Sequence, residues 1–66
     1  MRYFDFESIA KKAAIPSKKL KKLCSLVREE FPRDEMMYEL HVLRACLAVS
    51  EGRVDIDQAI ETQAAA

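Results

Sequence analysis

Asp34-Glu35-Met36-Met37-Tyr38-Glu39-Leu40-His41-Val42-Leu43-Arg44-Ala45-Cys46-Leu47-Ala48-Val49-Ser50-Glu51-Gly52 carries both ends of a helix and an unusual pattern between them. Asp34 is a capping residue with Glu35 favourable in the first turn, and Gly52 stands where a helix closes in a left-handed residue. Met36, Leu40, Leu43 and Leu47 form one apolar stripe at helical spacing, while Tyr38, Val42, Ala45 and Val49 form a second on nearly the opposite side. A helix apolar on both sides must be covered on both sides. Short neighbouring helices do this with difficulty, so the second stripe is the expected self-association face. Met36 and Met37 add an adaptable surface.

Helices are expected on either side of this one. Asp5 starts the first, over about 5–14, with Phe4 and Ile9 placed as a hydrophobic staple. Phe6, Ile9, Ala10 and Ala13 follow the i, i+3, i+4, i+7 rule, and Pro16 forces Ile15 out of helical geometry. The second helix, over about 17–31, is expected to be capped by Ser17 and stopped by Pro32; its apolar stripe is Leu20, Leu23, Cys24, Val27 and Phe31. The third covers 34–51. A fourth, over about 55–63, opens on Asp55 with Gln58 three residues on, in the manner of a capping box, and turns Ile56, Ala59 and Ile60 inward. The tail from Thr62 is expected to fray. The sum is an all-α bundle of about four short helices in a single domain, 1–66.

A chain of 66 residues has a small core. Such scaffolds lean on disulfides, a metal or oligomerisation. Cys24 and Cys46 fall in apolar helical segments and are expected as buried free thiols. The residues from Met1 to Glu7 lack the apolar core of a signal peptide, so a reducing, cytoplasmic setting is expected. Two cysteines and a single histidine, His41, fall short of a structural zinc site. No run approaches the roughly 20 apolar residues of a membrane span. Oligomerisation remains, and a homodimer is expected.

Catalytic constellations are missing. The Glu-x-x-His of di-iron bundles fails, because Tyr38 stands three before His41. A glycine-rich phosphate loop cannot be built from one glycine. His41 and Cys46 lie five apart and should not meet, and a pair with Cys24 lacks a third, orienting group. Neither an enzyme nor a cofactor is expected.

Charge is the chain's other strong signal. Residues 1 to 33 carry nine Lys/Arg against four acids, a balance of +5, and residues 34 to 66 carry two against seven, a balance of −5. Lys11, Lys12, Lys18, Lys19, Lys21 and Lys22 fall between Glu7 and Glu29 without an intervening acid. Such a patch suits a polyanion or the acidic end of another chain.

The run from Ile9 to Leu23 resembles the helix-turn-helix of bacterial transcription regulators. Ile9, Ala13, Ile15, Leu20 and Leu23 match its apolar and small anchor positions in spacing. The resemblance implies that Ser17 to Ser25 is a recognition helix laid in the major groove, with Lys11, Lys12, Ser17, Lys18, Lys19, Lys21 and Lys22 at the DNA. The sequence departs from the pattern at Ala14, where glycine is usual, and in a reading face made almost entirely of lysine. Lysines neutralise phosphates, which gives salt-sensitive and weakly selective binding. Two functions therefore fit the sequence: a DNA-binding accessory or regulatory protein, and a helical adaptor that self-associates or docks on a protein partner.

Overall fold

Aspartate side chains start three of the four helices. The computed structural model describes residues 3–65, with α1 at Phe6–Lys12, α2 at Ser17–Glu30, α3 at Glu35–Ser50 and α4 at Ile56–Ala65, and no strand among the described residues. The Asp5 carboxylate accepts from the Ser8 N–H at 3.3 Å and from its hydroxyl at 2.7 Å. Asp34 accepts from the Met37 N–H at 3.1 Å. Asp55 and Gln58 form a reciprocal box: the Gln58 N–H donates to Asp55 at 2.8 Å, and the Asp55 N–H donates to Gln58 Oε1 at 3.1 Å.

The second helix starts differently. Ser17, expected as its cap, lies inside the first turn, and Pro16 holds the cap position with φ −59° and ψ 142°. The proline ring fixes φ, its extended ψ delays helical geometry by one residue, and it has no side-chain oxygen to offer. The Pro16 carbonyl still accepts the first helical bond, from the Leu20 N–H at 2.9 Å.

Two helices end in the same way. After α3, Gly52 turns left-handed at φ 77°, its N–H donates to the Val49 carbonyl at 3.1 Å, and the Arg53 N–H donates to that of Ala48 at 3.0 Å. After α1, Ala14 takes the same role at φ 56°, with the Ala14 N–H on Lys11 and the Ile15 N–H on Ala10, both at 3.0 Å. Both are Schellman closures. The closure ends α1 at Lys12, two residues short of the expected range.

The core is built by the first three helices: Phe6 and Ala10 from α1, Leu23 and Val27 from α2, Val42 and Cys46 from α3. α4 adds only the half-buried Ile56 and Ile60. α3 touches all three other helices, and α4 lies mainly along α2. Lys19 meets Asp57 near the start of both, and Glu30 meets Gln63 further along, so α2 and α4 run in the same sense. The Gln63 amide donates to Glu30 at 2.6 Å, which helps explain why the tail does not fray: α4 stays helical to Ala65, and Ala66 lies outside the described residues.

One buried group was not foreseen. Glu39 is only 3% exposed, and its Oε1 accepts the N–H groups of Tyr3 at 2.8 Å and Phe4 at 2.9 Å. A carboxylate is kept in an apolar interior only where donors replace its water. These two fasten the segment before α1 onto α3.

Candidate nucleic-acid interface

The anchors that align with the helix-turn-helix pattern all take inward or intermediate positions. Leu23 is buried, Ile9, Ile15 and Leu20 are half-buried against the core, and Ala13 is half-buried. Anchoring these side chains on the core turns the opposite side of α2 outward. Lys18, Lys21, Lys22 and Ser25 are exposed there, with Ser17 exposed at its start and Lys11 and Lys12 exposed on the last turn of α1. The four-residue connection 13–16 joins the two lysine-bearing ends.

Lys19 behaves otherwise. It is half-buried, and its Nζ lies 2.9 Å from one oxygen of Asp57 and 3.1 Å from the other. Among the described residues, the remaining five lysines of the patch make no ion pair.

The geometry departs from a closely crossed helix pair. α1 packs chiefly on α3 and hardly touches α2. Between them lies an open groove of about 820 Å³, with Phe6, Leu20, Cys24 and Tyr38 in its lining and Lys21 and Glu29 at its edge. Arg28 crosses one side: its guanidinium sits 3.6 Å over the Tyr38 ring, and its Nη2 lies 2.9 Å from Glu35. Tyr38 also meets Phe6 edge to face, with ring centres 6.3 Å apart.

Tyr38 belongs to the stripe expected to self-associate, and that stripe points into the chain's own core. Val42 is fully buried, Tyr38 and Ala45 pack against the core, and Val49 is half-buried. α1 and α2 between them cover the side of α3 that was assigned to a partner. The opposite stripe holds what is left over: Met36 is 49% exposed, and Leu40 and Leu47 are half-buried outside the central cluster. Successive helical residues turn by about 100°, so Leu40 and Leu47 project roughly 140–160° from Val42.

The nucleophiles and the histidine are taken up by packing. Burial pushes the Cys46 thiol up to about 11. Burial also raises the Cys24 thiol, partly offset by the Tyr38 hydroxyl, which donates to its sulfur. Burial and that same hydrogen bond push Tyr38 up to about 12. All three groups are therefore protonated near neutrality, and a protonated thiol is a poor nucleophile. His41 Nδ1 lies 3.1 Å from the Met37 carbonyl oxygen, and its ring packs 4.5 Å from that of Phe31. Among the described residues no three His, Cys, Asp or Glu side chains come together as a metal site, and no helix is long and apolar enough to cross a membrane.

The pairing of Asp57 with Lys19 and the capture of the N-terminal backbone by Glu39 were missed from sequence. The first joins residues 38 apart, and the second joins residues 35 and 36 apart. No local pattern signals either. No protein family, curated protein or solved structure was found to match the chain.

Proposed function

We propose that this chain is a small, non-catalytic, cytoplasmic binding module whose lysine-rich α1–α2 corner contacts DNA as an accessory or regulatory protein. The observation that carries this is the exposure of Lys11, Lys12, Lys18, Lys21 and Lys22 on one corner, free of ion pairs among the described residues. Lysine ammonium groups held this way can replace the counterions of a phosphate backbone. The left-handed Ala14 supports the same function, since it supplies the turn for which a helix-turn-helix usually uses glycine. Without Arg, Asn or Gln on the outward turns from Lys18 to Ser25, contact is mainly with phosphates and only weakly selective.

The test is an NMR titration of labelled protein with a generic duplex at low and at high salt. Shifts at Lys11, Lys12 and Ser17 to Ser25 that vanish at high salt are expected, and they should be lost in Lys18→Glu/Lys21→Glu/Lys22→Glu. Unchanged spectra at low salt, or a triple variant that binds as well as the parent, would overturn the proposal.

A second function is favoured by the outer stripe of α3. Met36, Leu40 and Leu47 lie outside the core cluster and suit an adaptor that forms a homodimer or docks on a protein. Sedimentation of the parent and of Leu40→Asp separates the cases. A dimer that becomes monomeric supports association through this stripe, and a parent already monomeric at high concentration removes the homodimer.

A further inference from the structure

We infer that α4 is a built-in acidic guard on the DNA-contacting helix, with Asp57 occupying Lys19 in competition with phosphate. This rests on the DNA-binding proposal and concerns the regulation of that same corner.

Several observations converge on it. α4 and its cap carry three carboxylates, Asp55 at the cap and Asp57 and Glu61 in the helix, with no Lys or Arg. It lies along α2, the helix with Lys18, Lys19, Lys21 and Lys22 in its first turns. Asp57 holds Lys19 through both carboxylate oxygens, at 2.9 and 3.1 Å, although the Asp57 side chain is 69% exposed and the Lys19 side chain 43%. Glu61 stands one turn beyond Asp57 on the same face of α4, and Lys22 stands three residues beyond Lys19 on a helix running in the same sense. A second carboxylate thus follows the first along α4. Asp55 serves elsewhere, since its side chain is taken by the cap with Gln58.

The guard is also loosely held. α4 is the one described helix with no buried residue. A polyanion approaching α2 therefore meets Lys18, Lys21 and Lys22 directly but gains Lys19 only by displacing Asp57. The exchange trades one exposed ion pair for another, so it stays reversible and graded by salt.

The parent chain, Asp57→Asn, Lys19→Ala and the double variant are compared by fluorescence anisotropy with a labelled duplex of about 20 base pairs across a salt series. Asp57→Asn is expected to bind about two- to fivefold tighter at low salt. Its dependence of log K on log salt should steepen by about 0.9, the contribution of one added phosphate contact. Lys19→Ala should change little in the parent and should cancel the gain in Asp57→Asn. Circular dichroism melts check that α4 stays folded in each variant. A parent that binds while Asp57→Asn matches it in affinity and slope overturns the guard alone. A gain that survives Lys19→Ala also overturns it, because general charge then accounts for the effect. No binding by any variant at low salt overturns the DNA-binding proposal itself.

Discussion

α2 and α3 are neighbours of similar length, 14 and 16 residues, yet they relate to solvent in opposite ways. α2 is apolar on one side and lysine-rich on the other, so water and the core compete for different faces. α3 is apolar on two opposite sides, and the side it buries is the one that α1 and α2 cover. Amphipathicity assigns a helix its inward face only when the other face is polar. Where both are apolar, burial is decided by the geometry of the neighbours.

The largest test of this contrast replaces one residue on each face of α3. Val42→Asp puts a carboxylate where nothing is exposed and should cost more than about 3 kcal/mol or prevent folding. Leu40→Asp should cost about 1 kcal/mol or less. Urea unfolding monitored by circular dichroism compares them, and equal losses would break the distinction between the two faces.

The core side of α3 also has a titration signature. Cys46 is held protonated to about 11 against 9.0 for an ordinary thiol, because burial disfavours its thiolate. A raised folded value means that its contribution is complete below pH 9 and disappears as pH climbs toward 11. At about 1.4 kcal/mol per pH unit, the loss should be roughly 2 to 3 kcal/mol. Cys24 and Tyr38, raised for the same first cause, add to it in the same direction. Denaturation midpoints measured from pH 8 to 11 should fall, and Cys46→Ala should flatten the decline.

The two helices differ at their starts as well. Asp34→Ala removes a bond that α3 uses and should cost about 1 kcal/mol. Ser17→Ala removes a side chain that makes no capping bond and should cost less than about 0.5 kcal/mol. A small effect of opposite sign is expected at the corner before α2. Ala14→Gly relieves a left-handed alanine but loosens the unfolded chain, for a net gain of about 0.5 kcal/mol in thermal unfolding. A loss there would show that the alanine methyl group is needed at the turn.

These contrasts explain what was legible in the sequence. The four helices and three of their caps could be read because capping aspartates, prolines and Gly52 act within a few residues. The core stripe of α2 could be read because its polar complement is nearly unbroken. The inward face of α3 could not, since Met36, Leu40 and Leu47 are as apolar as Tyr38, Val42 and Ala45. For the surface, exposure of the lysines followed from the pattern of α2, but the occupation of Lys19 depended on where α4 came to rest. The burial of Glu39 was hidden for a related reason. A glutamate in an apolar helix reads as solvent-facing until the two backbone donors that satisfy it are known.

That carboxylate has a consequence for the order in which the molecule forms. α1 has only seven residues, about two turns, too short to persist alone in water. Two of its anchoring contacts, the edge-to-face packing of Tyr38 with Phe6 and the grip of Glu39 on Tyr3 and Phe4, lie more than thirty residues downstream. α1 finds most of its docking surface on α3, so it is held in place only when the third helix is folded. The lysine corner that α1 shares with α2 therefore depends for half of its lysine-bearing frame on a helix that carries none of those lysines.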